Sequence, residues 1–208
     1  RLSSASLEDC TFTNNSANRG GGLFSHESQP AIVNCNFISN SAINANGFGG
    51  GIALIGGDAT IENCLLNSNT AYQFGGGIHC ADYSNIDMYE TTIVNNTTTV
   101  GIQGSAFFSE EHSSLTARNV ITWNNSVQAD GFWIGTYSFG DLDYSLISEN
   151  LATNTGSNAG SWNLGAGMLG TPGSAPDPLF VDASNGDYRL QHVATGDASD
   201  SPCIDTGD

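Results

Sequence analysis

The 208 residues carry 21 carboxylates against four basic side chains, Arg1, Arg19, Arg118 and Arg189, with no lysine, for a formal net charge of −17. Such a surface repels nucleic acid and anionic lipid, which excludes both as partners, and it disfavours pectate-like or alginate-like polyanions unless calcium bridges the two. The length allows one or two domains, and the acidity by itself serves to keep a secreted protein soluble.

From the N-terminus the chain repeats one phrase: a Cys, an apolar residue two further on, an Asn, then three glycines and an aliphatic residue. Cys10-Thr11-Phe12-Thr13-Asn14-Asn15 leads to Gly20-Gly21-Gly22-Leu23. Cys35-Asn36-Phe37-Ile38-Ser39-Asn40 leads to Gly49-Gly50-Gly51-Ile52, and Cys64-Leu65-Leu66-Asn67-Ser68-Asn69 to Gly75-Gly76-Gly77-Ile78. The Cys position continues through Thr91, Val120 and Tyr144, with steps of 25, 29, 27, 29 and 24 residues. Five positions later stand Asn15, Asn40, Asn69, Asn96 and Asn125, then Glu149 beside Asn150. The glycine slot decays to Gly104-Ser105-Ala106 and to Ala129-Asp130-Gly131, followed by Phe107 and Phe132. A period of this size means a solenoid, and unequal steps around fixed motifs place the length variation in loops.

Within each unit apolar residues alternate over short stretches, as in Cys35 and Phe37 or Ile78 and Cys80, bounded by Gly, Asn, Asp and Ser. Such segments read as strands, and nothing shows helical spacing over a useful length. The predicted fold is all-β: a right-handed parallel β-helix of about six coils over residues 7–150, with rungs about 4.8 Å apart. Cys10, Cys35, Cys64 and Thr91 form one inward column of buried thiols and a hydroxyl. Stacked neighbours lie close enough for a disulfide, but their parallel Cβ vectors disfavour one. Asn15, Asn40, Asn69, Asn96 and Asn125 form a corner ladder that satisfies turn backbone. Sequons begin at Asn14, Asn95, Asn96 and Asn124, but the ladder claims these same stretches, so glycosylation is discounted.

The residue after each post-glycine apolar position points outward: Phe24, Ala53, His79, Phe108 and Trp133. An aromatic stripe of Phe24, His79, Phe108 and Trp133 would stack on sugar rings, unless a loop or the C-terminal segment covers it. Just beyond come Glu27 with His26, Asp82, and Glu110-Glu111 with His112, with Asp58 nearby. Carboxylates on adjacent or alternate rungs suit glycosidase pairs, which makes Asp82, Glu110, Glu111 and Arg118 the catalytic candidates if the chain is an enzyme. No cofactor is expected; calcium is the one ion the clustered oxygens of Asp58, Asp82 and Glu111 would suit. No paired Cys/His spacing points to another metal.

Residues 151–175, rich in Gly, Ser, Asn and Ala, read as an irregular excursion bounded by Pro172, Pro176 and Pro178. The solenoid thus occupies residues 1–150, and residues 151–208 are its excursion and closing strands. No apolar run is long enough to span a membrane, and no signal-type segment opens the chain. Arg1 falls inside what reads as a coil and the chain stops just after its last motif, as in a processed form or an excised fragment. Uncapped coils would then invite end-to-end self-association.

The phrases Phe12-Thr13-Asn14-Asn15 and Phe37-Ile38-Ser39-Asn40, with the Gly-Gly-Gly-Leu/Ile runs, resemble the FxxN and GG[AG][ILV] repeats of polymorphic outer-membrane proteins and other pectin-lyase-like right-handed β-helices. Asp177-Pro178-Leu179-Phe180-Val181-Asp182, Gly186-Asp187-Tyr188-Arg189-Leu190 and Ser201-Pro202-Cys203-Ile204-Asp205-Thr206-Gly207 resemble the end of β-helix proteins of the choice-of-anchor Q kind. The resemblance implies the fold and an extracellular or cell-surface location, but no particular reaction. Calcium-dependent lyases of this fold use a Lys or Arg base beside acidic ligands, and lysine is absent here. The polygalacturonase set also fails, since there is no Asp-Asp, Gly-His-Gly or Arg-Ile-Lys. The expectation is therefore a structural or adhesive β-helix, glycan-facing and non-catalytic, with a cell-surface glycan or polysaccharide as partner. The rival is a polysaccharide lyase or glycoside hydrolase.

Overall fold

A computed structural model describes residues 4–100, 103–125, 130–155, 157–171, 173–191, 201 and 203. Short strands wind into a parallel β-helix. The first coil runs through Thr11–Thr13, Ser16–Ala17 and Leu23–His26, and enters the next through Ala31–Val33. Each strand pairs in parallel with its counterpart one coil away, as Leu66 pairs with Phe37 below and Ile93 above. The four stacks so formed are seven, six, four and six strands deep. Leu151–Thr153 and Ser161–Leu164 still add strands to two of them. The described part of the chain holds no α-helix, only a single 3-10 turn at Ala183–Asn185.

The corners explain the repeated phrase. Asp9, Asn34, Asn63, Glu90 and Asn119, each just before the Cys column, have φ between 49° and 56°, and Asn14, Ser39, Ser68, Asn95 and Asn124 repeat this before the Asn column. Asn and Asp tolerate this left-handed conformation best among residues with side chains. The first glycine of each triplet takes the same conformation (Gly49 and Gly75 at φ 65°), and the second lets two coils touch. A Cβ on Gly50 would stand 2.4 Å from the Gly76 carbonyl oxygen.

The asparagine ladder is complete. Asn15, Asn40, Asn69 and Asn96 each donate Nδ2–H to Oδ1 of the asparagine one coil on, at 2.9–3.0 Å. The same Oδ1 also accepts the backbone N–H of the donor residue. The second hydrogen of Asn40, Asn69, Asn96 and Asn125 goes to a carbonyl of an earlier coil, Phe12, Phe37, Leu66 and Ile93. Asn125 passes its amide to Glu149, whose Oε1 takes both N–H groups at 2.9 Å while Oε2 accepts the Thr122 hydroxyl. Glu149 is buried, so the ladder ends on a carboxylate.

The inward column follows the expected register through Cys35, Cys64, Thr91 and Val120, but its next member is Ser145, not Tyr144. The Val120 N–H donates to Ser145 Oγ at 3.1 Å, and Tyr144 is the exposed left-handed corner residue before it, with φ 47°. All five cysteines are free thiols. Burial pushes the Cys64 thiol up to about 11 and the Cys80 thiol up to about 12.

Past the excursion, Phe180–Asp182 and Asp187–Leu190 form an antiparallel hairpin. It lies across the stack holding Leu65–Asn67 and Thr92–Val94, where the Tyr188 hydroxyl accepts the Asn95 amide at 2.7 Å and bonds Asn67 Oδ1 at 3.3 Å. Of the final phrase only Ser201 and Cys203 are described; Pro202 and residues 204–208 lie outside the described residues, as do Arg1 and Ala129.

Candidate ligand-facing corner

The post-glycine strands Leu23–His26, Ile52–Ile55, Ile78–Ala81, Gln103–Ser109 and Asp130–Ile134 carry the outward stripe. Most of it is roofed. His79 and Phe108 are 2% and 3% exposed and Ala53 is fully buried; only Phe24 is open and Trp133 half-open. The roof comes from the loops ahead of the glycines rather than from the C-terminal segment. Phe48 stacks on His79 at 5.0 Å between ring centroids and Phe74 on Phe108 at 4.6 Å. Arg19, Phe48, Phe74 and Gln103 form a bridged column of their own, with the Arg19 guanidinium over the Phe48 ring at 5.8 Å. A continuous stripe of Phe24, His79, Phe108 and Trp133 therefore does not face solvent. The signal for the roof was in the chain, since Phe48 and Phe74 each stand directly before a triple glycine. Phe24 keeps an open hollow of about 640 Å³ beside Asn18, Asn44 and Asn46.

The corner that follows these strands is different. Ile55 pairs with Ala81 and Ala59 with Ile86, so three residues of the second coil face four of the third. The third, fourth and fifth coils keep the longer corner, as Cys80, Ser109 and Ile134 are in register and so are Asn85, Ser114 and Phe139. The added residue is Tyr83, His112 or Tyr137, each left-handed at φ 56–63°. Their rings stack at 4.7 and 4.4 Å and project outward, with Tyr83 67% and Tyr137 53% exposed. A serine follows each ring. Gly57 and Ser84 donate backbone N–H to the hydroxyls of Ser84 and Ser113, and Ser113 to that of Ser138, which anchors the corner to the core. The ring-Ser phrase at 83–84, 112–113 and 137–138 was the sequence signal for this stack.

Acids line the same corner. Asp82 and Glu111 precede Tyr83 and His112 and hydrogen-bond to each other; that bond, then burial and the charges of Glu110 and Asp82, holds the Glu111 carboxyl above the usual range. Glu110 stands 3.6 Å from His79 Nε2 on the inner side. Glu27 leans over Gly56, its Cγ 3.6 Å from where a Cβ of Gly56 would be. The second coil lacks the added residue, so the ring stack begins at Tyr83.

Two expected members lie elsewhere. Asp58 belongs one position further on, because the shorter corner aligns it with Asn85, and its Oδ1 accepts the Asn85 amide at 2.7 Å and the backbone N–H at 3.2 Å. Arg118 ends Ser114–Arg118, at the far end of a strand from the acids, and pairs with Asp143 at 3.3 Å. Among the described residues no three of His, Cys, Asp and Glu converge in a metal-holding group. No described helix is long and apolar enough to cross a membrane.

Comparison with curated proteins and with solved structures found no match. The family described as a right-handed beta helix region matches residues 2–162, which spans every stacked coil from the first Cys phrase to the strand at Ser161–Leu164. The chain belongs to the right-handed β-helix family.

Proposed function

We propose that this β-helix is an extracellular or cell-surface structural protein that faces glycans without cleaving them. One observation carries the reading: Tyr83, His112 and Tyr137 form an exposed stack, one ring per coil, at a corner that gains a residue in the third, fourth and fifth coils. Exposed rings of this kind are costly without a partner, and their flat C–H-binding faces suit sugars. The likeness of the repeats to polymorphic outer-membrane proteins supports a surface location.

The acids favour the enzymatic rival less. Glycosidase carboxyls flank the scissile bond from two sides, whereas Glu110 turns towards the buried His79 at 3.6 Å and Asp82 lies close enough to Glu111 to hold its carboxyl above the usual range. Arg118, the candidate lyase base, is occupied by Asp143 on another face. A glycan array run beside an unsaturated-product absorbance assay tests the reading. Retention on at least one polysaccharide, lost in Tyr83→Ala and Tyr137→Ala, with no product formed, is expected. Steady release of unsaturated or reducing ends, abolished in Glu111→Gln, would replace it with the enzyme.

A further inference from the structure

We propose that the hollow beside Phe24 is a second binding site, and that it takes a glycan ending in a single carboxylate-bearing sugar. The site lies on the first and second coils, apart from the ring stack of Tyr83, His112 and Tyr137, and does not rest on the reading of that corner.

The hollow, of about 640 Å³, is lined by Asn18, Arg19, Phe24, Asn44, Ala45 and Asn46. None of these side chains is a carboxylate, on a chain whose formal net charge is −17. One wall is a short, tied loop. The Gly47 N–H donates to the Asn44 carbonyl at 2.8 Å, and the Ile43 N–H to the Ala17 carbonyl at 2.8 Å. A Cβ on Gly47 would stand 2.3 Å from the Ala42 carbonyl oxygen, so the loop closes tightly enough to need glycine there. The wall is therefore set before any ligand arrives, as in most small-ligand sites.

Three kinds of group meet in this space. Of the three arginines among the described residues, Arg118 holds Asp143 and Arg189 holds Asp187, whereas Arg19 meets no carboxylate. Its guanidinium lies over the Phe48 ring at 5.8 Å, a contact that places the cation without neutralising it. On a chain with 21 acids and four arginines, a guanidinium without a carboxylate is the exception. Phe24 is 45% exposed, the most open ring of the otherwise roofed stripe. Asn44 Nδ2 donates to Asn18 Oδ1 at 2.5 Å, which leaves the Asn18 amide hydrogens and the Asn44 amide oxygen for a ligand.

These groups select a ligand by chemistry. A guanidinium forks onto a carboxylate through two parallel hydrogen bonds, an open ring takes the apolar face of a pyranose, and amides both give to and accept from hydroxyls. One acidic sugar carries all three partners on a rigid ring. A neutral sugar leaves the guanidinium unanswered. A polyuronate brings further charges, each repelled by the field of an acidic chain. An acidic peptide brings its carboxylates on flexible stems whose ordering costs entropy.

The test titrates the intact protein by calorimetry with sialyllactose, its methyl ester, a galacturonate hexamer and an oligoglutamate. Esterification keeps the sugar and removes the charge. Sialyllactose is expected to bind, with affinity falling as salt rises, and to lose about tenfold in Arg19→Gln and in Phe24→Ala. Arg19→Lys, which keeps the charge but not the fork, should recover only part of that loss. Arg19 and Phe24 are both exposed, so the variants should melt with the parent. Equal binding of the ester would overturn the carboxylate claim. A galacturonate hexamer binding as tightly would overturn the claim of a single charge, and oligoglutamate doing so with the same dependence on Arg19 would make the hollow a peptide site instead. Sialyllactose binding that survives Arg19→Gln but is lost in Tyr83→Ala would move the ligand to the other corner and refute this site. Binding of no probe would sink the proposal and leave the corner to its own glycan array.

Discussion

Two corners of the same coil obey opposite rules. At the asparagine corner every rung must donate to the next and accept from the last, so a change at one level strands polar groups at three. At the corner after the post-glycine strands the inner serines are held, while the chain outside them is free to lengthen by a residue. It does so at Tyr83, His112 and Tyr137 and nowhere earlier. Regularity in this solenoid is enforced from inside by unmet hydrogen bonds and tight packing. Variation is confined to the outside, where it costs little, and there it collects rings and acids.

The comparison breaks most visibly if the two sides prove energetically alike. Phe107 is fully buried and stacked on Phe132, so Phe107→Ala should cost about 3–5 kcal/mol in denaturant unfolding. Tyr137→Ala at the outer corner should stay within about 0.5 kcal/mol. Similar losses for both would mean that the outer stack is structural.

A finer test stays with asparagines. Asn69→Ala removes the acceptor of two Asn40 N–H groups and should cost about 1–3 kcal/mol, whereas Asn46→Ala in an exposed loop should cost almost nothing. Equal melting temperatures would refute the ladder as a source of stability.

The thiols sharpen the contrast kinetically. Burial holds Cys64 and Cys80 well above the ordinary thiol range, so a maleimide should leave both unlabelled in the native protein and label them on unfolding. Rapid native labelling at either would show that the coils open there. The smallest effect is at Glu111. Because its folded carboxyl is held above the usual value, the folded state favours the protonated form. That contribution is complete at pH below the ordinary glutamate range and is lost as pH rises through the raised value. The melting temperature should therefore dip slightly across that window, and Glu111→Gln should flatten the dip.

The inner side of the molecule was legible from sequence because its constraints are local and repeat with the coil. Cys10, Phe12 and Asn15 mark a strand and its two corners before any partner is known. The outer side was harder for a physical reason. Counting outward positions puts His79 and Phe108 in solvent, but a flat stripe invites cover, and the loops carrying Phe48 and Phe74 are long enough to fold back over it. Tyr83, His112 and Tyr137 are harder to read because each sits in a corner that lengthens by one residue from the third coil on, which slides them out of a fixed alignment. A different slip puts Tyr144 in the inward column where Ser145 belongs: four positions, not five, separate Ser145 from Glu149. Of the acids, Asp82 and Glu111 meet across adjacent coils, Glu110 turns inward towards His79, and the shorter second coil carries Asp58 one position on.

Glu149 gives the ladder a direction. An asparagine amide takes hydrogens on its oxygen and gives them from its nitrogen, so it can be repeated without limit. A carboxylate only takes. Every rung from Asn15 to Asn125 hands one amide hydrogen forward to the next coil, and Glu149 takes the last of these. The residue thus works as a full stop in a one-way sentence of amides.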